Sequence, residues 1–326
     1  MAITTQVDEL PTKGTRERDS TVDISYHDTL TSASTDAAVI DLPARKNDPS
    51  IWARWKRSQQ HNLAITLTKH EIKEYGDDFL EVVREPEREA QTLPKKSCIN
   101  SQPEITWFVR ESLVGFLIEV HSAYRLRSAT AFLAVNLLDR YCSKRIVGTH
   151  HYQLVGCVAL LVAAKYRERQ KCVPSLQDLS KMCQGFYTPK DFVQAESLLL
   201  SALEWNVEHL DTCTLIQTQL ADKLQVSQLK HMSMYIAEIA LFDRDFVDTQ
   251  PSVLASSAQA LARYTINHVT HNNVPLGEYD PSTFLGLYNR LRDAPDVLVS
   301  KYAKPECSGV SLLAECLRCS GPALTA

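Results

Sequence analysis

Four charged residues stand beside strongly apolar stretches of the sequence: Arg110, Asp139, Lys165 and Glu196. A charged side chain that is buried without a partner is costly, so residues in such positions predict ion pairs or contacts with another molecule. Lys165 shows this best, because it follows the uncharged run 154–164 where helical spacing still predicts partial burial. Its amine either reaches for water at a helix end or lies at the rim of a binding surface.

The helical patterns suggest a partner for two of these charges. Asp139 ends an apolar run, and Arg110 lies beside the apolar stripe of the preceding helix. A planar guanidinium matches a carboxylate with two hydrogen bonds, so we predict an Arg110–Asp139 pair that fixes how two helices cross. Lys165 and Glu196 have no obvious local partner. The sequence leaves two alternatives for them: they pair with each other, or they face a partner protein.

Patterns typical of metal or enzyme sites are weak. Cys316 and Cys319 form one CxxC motif, but a zinc site needs two further ligands at paired spacing. The same objection applies to His268 and His271. The sequence contains no glycine-rich phosphate loop and no GxSxG or HExxH motif. We therefore expect no metal, no cofactor and no catalytic residue. A helical enzyme that uses the two histidines as ligands is the remaining alternative of that class.

Composition favours a mostly helical protein with more than one domain. The chain has 326 residues, 44% of them hydrophobic, and 10 glycines. Its net charge of -4 gives no electrostatic reason to expect nucleic acid or an anionic membrane as a partner. The N-terminus lacks the apolar segment of a secretion signal, and the longest uncharged apolar run is too short to cross a bilayer. We expect a soluble intracellular protein.

Apolar residues recur at helical spacing through the first half of the dense region. The predicted helices cover about 104–123, 128–142, 150–167, a short segment from Ser175, and 188–205. Segment 150–167 is apolar nearly all round, which predicts a central, enclosed helix. Ser128 is the expected N-cap of the second helix, and Thr188 with Pro189 and Asp191 predicts a capping box.

The second half of the sequence repeats this pattern faintly. LLDRY at 137–141 is echoed by LFDRDF at 241–246, and no alternating strand pattern appears. Five more helices are predicted, at about 212–224, 228–242, 252–268, 281–292 and 295–302. We predict an all-α fold with two tandem five-helix domains. The predicted divisions are a disordered region at 1–60, an N-terminal helix region at 61–101, and the two domains at 102–209 and 210–326.

Four stretches of the first half together resemble the cyclin box. They are QPEITWFVRESLVGFLIEVHSAYRL, TAFLAVNLLDRYC, YQLVGCVALLVAAKY and QAESLLLSALEWNV, and the match covers about 102–207. The five signature positions of the family fall on Arg110, Asp139, Leu154, Lys165 and Glu196, each with the family residue. The second half resembles the C-terminal cyclin fold. The predicted helix at about 70–85 resembles the helix that precedes the box.

The resemblance implies a regulatory subunit, not an enzyme, that binds and activates a cyclin-dependent protein kinase. By resemblance, Lys165 and Glu196 would hydrogen-bond backbone groups at the regulatory αC helix of the kinase. We expect Tyr166 and Phe192 to add apolar contacts to the same partner, with core packing as an equal alternative for each. The kinase would then be held in its active conformation by differential contacts.

Two further groups of residues follow from the resemblance. Arg110, Asp139 and Leu154 would form the internal strut of the box. The substrate-docking patch, through which substrates and inhibitors of the kinase would bind, maps to Val109, Leu113, Phe116, Glu119 and Gln153. Ser112 and Phe116 stand where S/M-phase cyclins carry a large aliphatic residue and a tryptophan. Loss of that aliphatic side chain removes about 2 kcal/mol of apolar contact, which favours a docking motif other than Arg-x-Leu.

The segment LLDRYCSKR and the region around it resemble a fungal G1/S-type cyclin. Residues 1–60 hold neither an RxxL nor a KEN sequence, which argues against a mitotic type. We expect the protein in the nucleus and cytoplasm. One alternative is a transcription-type cyclin whose kinase phosphorylates RNA polymerase. Another is a binding module like transcription factor IIB, which needs a basic surface and usually a zinc ribbon, whereas this chain is acidic with no cysteine before Cys98.

Overall fold

The computed structural model describes residues 92–220, 227–271 and 274–320, with the side chains of the last helix described as far as Leu317. These residues form eleven α-helices and three short 3-10 turns, and they contain no strand. The predicted all-α fold is confirmed. The predicted disordered region at 1–60 and the predicted helix at 70–85 lie outside the described residues.

The first five helices build one repeat around a central helix. They are α1 (Trp107–Tyr124), α2 (Ser128–Lys144), α3 (Thr149–Arg167), α4 (Leu176–Met182) and α5 (Pro189–Ala202). The run from Leu154 to Ala164 in α3 is buried throughout, which confirms the enclosed helix predicted from its lack of charge. Since α2 and α5 pack along α3, the last turn of α3 leaves the core next to α5.

Caps fix where the helices of the first repeat begin. Thr106 precedes α1, and its side chain accepts a hydrogen bond from the Val109 amide. Thr188 and Asp191 form the predicted capping box of α5, with Pro189 at the first helical position. The Thr188 and Asp191 side chains each accept a hydrogen bond from a backbone amide at the start of α5. These bonds fix the residue at which the helix begins.

The N-cap of α2 differs from the prediction. The cap residue is Arg127, not Ser128, and its side chain makes no capping hydrogen bond. Glu168, just beyond the end of α3, takes that role instead. Its carboxylate accepts a hydrogen bond from the Arg127 amide at 2.6 Å and one from the Thr130 hydroxyl at 2.7 Å. A tertiary contact therefore replaces the local cap that the sequence suggested.

The second repeat contains α6 (Thr212–Gln219), α7 (Ser227–Ala240), α8 (Pro251–Thr270), α9 (Pro281–Arg292), α10 (Asp296–Tyr302) and α11 (Val310–Ser320). α8 is its central helix, against which α6, α7, α9 and α11 pack. α11 was not among the five predicted helices. The signal was present, because the buried residues Val310, Ala314 and Leu317 recur at helical spacing.

The two repeats meet along α1 and α2. Apolar side chains of these helices belong to the core of the second repeat, among them Val114, Ile118, Ala131, Phe132 and Val135. α10 also packs against α1. The core of the second repeat thus packs against α1 and α2 of the first repeat, while α5 and most of α3 pack within the first repeat.

Candidate protein-binding site

The last turn of α3 and the middle of α5 bring Lys165 and Glu196 together. The Lys165 Nζ lies 2.6 Å from Oε1 and 2.7 Å from Oε2 of Glu196, so in this chain the two residues pair with each other. The Lys165 side chain is 49% exposed and that of Glu196 is 17% exposed. A pair this exposed adds about 0–1 kcal/mol to stability, so stability alone does not account for it.

Apolar side chains flank this ion pair at the surface. Tyr166 follows Lys165 and is more than half exposed, with the Arg167 guanidinium carbon 6.0 Å from its ring centroid. Val193 is also exposed and lies about one turn before Glu196 on α5. We call Lys165, Tyr166, Val193 and Glu196 the Lys165 face. Exposed apolar groups around a few polar anchors are typical of surfaces that bind proteins.

Phe192 does not belong to this face. Its side chain is completely buried and packs edge-to-face on Tyr187, with ring centroids 6.3 Å apart. Leu199, two turns later on α5, is buried as well. Of the two alternatives for Phe192, the structure shows core packing and not contact with a partner, because α5 turns Phe192 into the core and the adjacent Val193 outward.

Arg110 and Asp139 lie together inside the first repeat. The Arg110 Nε donates to Oδ1 of Asp139 at 2.8 Å and Nη2 donates to Oδ2 at 2.6 Å, the two-bond geometry expected for this pair. Their side chains are 1% and 3% exposed. Burial alone would lower the pKa of Arg110, but the charge and hydrogen bonds of Asp139 raise it, so the guanidinium keeps its proton.

Arg110 also connects the two repeats, which the sequence did not predict. Its Nη1 donates to the Leu241 carbonyl at 2.9 Å, just after α7, and its guanidinium carbon lies 5.6 Å from the centroid of the Trp107 ring. Leu154, the third predicted strut residue, is buried in α3 within the same core as α1 and α2. The buried pair thus fixes α1 against α2 and against the second repeat.

The predicted docking patch is only partly at the surface. Glu119 is exposed, and Val109, Phe116 and Gln153 are half-buried. Leu113 is buried, and a Cβ added to Gly156 on α3 would come within 2.9 Å of its side chain. Leu113 therefore fills the contact between α1 and α3 and offers little surface to a ligand, contrary to its assignment to the patch.

Phe108 is a surface residue that the prediction missed. It is 76% exposed and lies one turn before Ser112 on α1. The Ser112 hydroxyl donates to the Phe108 carbonyl at 2.9 Å. Because serine is small, only a short side chain lies beside the exposed ring. The helical offset of four residues between Phe108 and Ser112 was the signal in the sequence that could have placed this ring beside the patch.

The connection between the repeats holds charged contacts that no sequence pattern indicated. The Arg167 Nη2 lies 2.9 Å from Oδ2 of Asp211 and donates to the His209 carbonyl at 2.8 Å. Burial raises the pKa of Asp211, and the charge of Arg167 opposes that rise. Burial, together with the charges of Arg140 and Arg167, lowers the pKa of His209 to about 3, so this ring is neutral. These contacts hold the end of α3, next to the Lys165 face, against the second repeat.

Three of the residues considered for metal binding, His268, His271 and Cys316, have described side chains. Among the residues that the structure describes, no three histidine, cysteine, aspartate or glutamate side chains gather as metal ligands would. His268 lies near the end of α8 and His271 follows it, while Cys316 is exposed on α11 and the Cys319 side chain lies outside the described set. Across the same described ranges, no helix is both long and apolar enough to span a membrane.

Two family models match the chain in tandem. The model for the N-terminal cyclin domain matches residues 78–208, and the model for the C-terminal cyclin domain matches residues 210–315. Together they cover most of the chain, including all of the residues of the Lys165 face and the Arg110–Asp139 pair.

Similar proteins include cell-cycle cyclins of several types. The G1/S-specific cyclin CCN1 of Candida albicans is 36% identical over 222 residues, which cover 62% of this chain and 32% of that protein. The G2/mitotic-specific cyclin cdc13 of Schizosaccharomyces pombe is 35% identical, covering 59% of this chain and 39% of that protein. The chain thus spans about a third of the length of the first of these relatives. A viral cyclin from herpesvirus saimiri of known structure has 17% identity and a TM-score of 0.49, over 68% of this chain and 92% of that one.

Proposed function

The chain belongs to the cyclin family, and from that premise we propose that it binds and activates a cyclin-dependent protein kinase through the Lys165 face. Cyclins are regulatory subunits, so no group on this chain needs to take part in phosphoryl transfer. The observation that carries the proposal is the surface pair of the exposed Lys165 amine and the half-buried Glu196 carboxylate, next to the exposed apolar side chains of Tyr166 and Val193. Its small value for stability leaves recognition as the reason for its position.

The mutual pairing of Lys165 and Glu196 prepares both side chains for a partner. Each is held by hydrogen bonds of 2.6–2.7 Å, so less rotamer entropy is lost when a partner docks. A lysine amine has three donors and a carboxylate several acceptor sites, so each can keep the other and still reach a backbone group of the kinase. Tyr166 and Val193 then supply the apolar contact that excludes water around those hydrogen bonds.

Activation follows if this rigid face holds the αC helix of the kinase inward. In that position the lysine–glutamate ion pair of the kinase forms and its activation loop leaves the cleft. The cyclin needs only to bind the active conformation more tightly than the inactive one. The stiffness of α3 supports this role, because its core is continuous up to the residue before Lys165.

We propose, further, that substrates and inhibitors dock along α1 and the start of α3, through Val109, Phe116 and Glu119 on α1 and Gln153 on α3. The exposed ring of Phe108 and the small Ser112 beside it support a motif other than Arg-x-Leu. Timing at G1/S and residence in nucleus and cytoplasm are part of the same proposal. The similarity to a fungal G1/S-specific cyclin supports the timing, and an abundance profile across a synchronised culture tests it.

Co-purification with cellular kinases tests the main proposal. The full chain should recover a protein kinase activity, and the double variant Lys165→Ala, Glu196→Ala should recover at least ~10-fold less, the effect of about 1.4 kcal/mol. The matched control is Lys144→Ala, Glu204→Ala, which removes another exposed ion pair of 2.9 Å. Equal recovery by both double variants would show that the Lys165 face is not the binding site. Activity confined to an RNA polymerase peptide would favour the transcription-type alternative.

A further inference from the structure

Two buried cysteine side chains face each other in the first repeat. Cys157 lies in the middle of α3, and Cys183 is the C-cap residue of the short helix α4. Their Sγ atoms are 3.5 Å apart, and neither side chain is exposed. We propose that Cys157 and Cys183 form a reversible disulfide when the protein meets a hydroperoxide, and that this bridge fastens the α4–α5 connection to the central helix.

The position of Cys183 gives an oxidant a route to the pair. The chain turns sharply after it, since Gln184 and Gly185 both have positive φ, of 55° and 76°. Nothing lies within 4 Å of the position that a Cβ on Gly185 would take, and the next residue, Phe186, is largely exposed. Cys183 thus lies directly beneath an exposed turn at the end of a seven-residue helix. Local opening of such a short surface element is less costly than opening the core around Cys157.

The two thiols differ in access to solvent, which orders the reaction. Cys157 lies in the middle of the enclosed helix α3, whereas Cys183 lies beneath the exposed turn at residues 184–185. The thiolate is the reactive form of cysteine, and burial in apolar surroundings disfavours it. Cys183, which is nearer the surface, is therefore the residue that meets the peroxide, and Cys157 is the residue that resolves the product.

The chemistry balances with hydrogen peroxide as the oxidant. The Cys183 sulfur attacks one peroxide oxygen, the S–O bond forms, the O–O bond breaks, and hydroxide leaves as water after taking a proton. The Cys157 sulfur then attacks the Cys183 sulfur, the S–S bond forms, the S–O bond breaks, and a second water leaves. Each sulfur loses one electron overall and both peroxide oxygens are reduced. A thiol reductant then breaks the S–S bond by thiol–disulfide exchange and restores both thiols.

The bridge would act on the element that presents Glu196. The connection after Cys183 leads through the capping box at Thr188 into α5. A bond between residues 26 positions apart removes conformations from the unfolded chain and ties this connection to α3. The oxidised protein should therefore unfold at a higher temperature than the reduced protein.

Mass spectrometry of the full chain tests the bridge directly. The protein is treated with hydrogen peroxide, its remaining thiols are blocked, and it is digested with trypsin without reduction. Cleavage at lysine and arginine places Cys157 alone in peptide 146–165 and Cys183 alone in peptide 182–190. We expect these two peptides, joined, to become the main form of both cysteines, to disappear after dithiothreitol, and to accompany a reversible rise in melting temperature.

Two other cysteines are internal controls within the same digest. Cys172 is exposed and reports that the oxidant acted, whereas Cys142 is buried, with its pKa raised by burial, and should stay reduced. Oxidised Cys172 with no joined 146–165 and 182–190 peptides would overturn the proposal. So would an equal rise in melting temperature for Cys183→Ser, which cannot form the bridge, while Cys172→Ser should behave like the unaltered protein.

Discussion

The two ion pairs of the first repeat have similar geometry and opposite surroundings. Arg110 and Asp139 make hydrogen bonds of 2.8 and 2.6 Å in the interior, and Lys165 and Glu196 make bonds of 2.6 and 2.7 Å at the surface. Distance alone would rank them as equals. We call Arg110–Asp139 the inner pair and Lys165–Glu196 the outer pair. Burial makes their contributions to stability differ. Removing one member of the inner pair leaves a buried charge without water, whereas the Lys165 amine of the outer pair can turn to solvent.

The difference shows how one domain divides two tasks between its charged residues. The inner pair fixes the crossing of α1 and α2 and, through Leu241, the contact with the second repeat. The outer pair lies where α3 leaves the core and is available to another protein. The second repeat contains a pair that resembles the buried one: Glu238 is fully buried, and Lys301, whose amine lies 2.6 Å from it, is mostly buried.

The largest expected effect comes from breaking the inner pair. Asp139→Ala leaves the Arg110 guanidinium buried without its carboxylate, which should lower the free energy of unfolding by roughly 3–5 kcal/mol. Urea unfolding followed by circular dichroism measures this change. Glu204→Ala, which removes an exposed carboxylate from Lys144, is the control and should unfold close to the unaltered protein. A midpoint for Asp139→Ala that matches this control would mean that Arg110 is not held by Asp139 in solution.

The inner pair was predictable because two independent patterns meet there. Asp139 ends an apolar run and Arg110 lies beside an apolar stripe, so each needed a partner of opposite charge. The bond from Arg110 to Leu241 was not predictable, since a backbone carbonyl has no residue type to reveal it. For the same reason the capping of α2 by Glu168, from the end of another helix, escaped a prediction based on local sequence.

The outer pair was predictable only as a choice between two arrangements. Neither Lys165 nor Glu196 has a partner nearby in the sequence, and the packing of α5 along α3 is what brings them together. Phe192 and Val193 show more clearly what could not be predicted from the sequence. Both are apolar neighbours on one helix, and the rotation of α5 against the core decides which of them is buried.

The second-largest expected effect on stability concerns His209, in the connection between the two repeats. Burial and the charges of Arg140 and Arg167 lower the pKa of His209 to about 3, from an ordinary value of 6.5. As the pH falls below 6.5, the His209 ring binds a proton in the unfolded chain but stays neutral in the folded chain. The free energy of unfolding therefore decreases on acidification. From pH 7 to pH 5 this amounts to at most about 2 kcal/mol, at about 1.4 kcal/mol for each pKa unit.

Urea unfolding at several pH values measures this loss, and His209→Gln is the matched variant. Glutamine keeps a polar side chain next to Thr92, whose hydroxyl lies 2.9 Å from the His209 Nδ1, but it cannot take up a proton. The variant should therefore lose less stability between pH 7 and pH 5 than the unaltered protein. A remaining slope is expected from His121, whose pKa burial also lowers. Identical slopes for both proteins would assign the acid sensitivity to groups other than His209.

The smallest effect on stability is expected at the outer pair, and a double-mutant cycle measures it. Replacing both Lys165 and Glu196 with alanine should change the free energy of unfolding by no more than about 1 kcal/mol. Lys165→Ala alone should cost more than Glu196→Ala alone, because Glu196 is the less exposed partner and would keep an unpaired carboxylate near the core. A loss as large as that of Asp139→Ala would make the outer pair a second structural strut. A small loss of unfolding free energy, together with failure to recover the kinase, would show that the outer pair serves recognition and not folding. The inner pair would then serve folding alone.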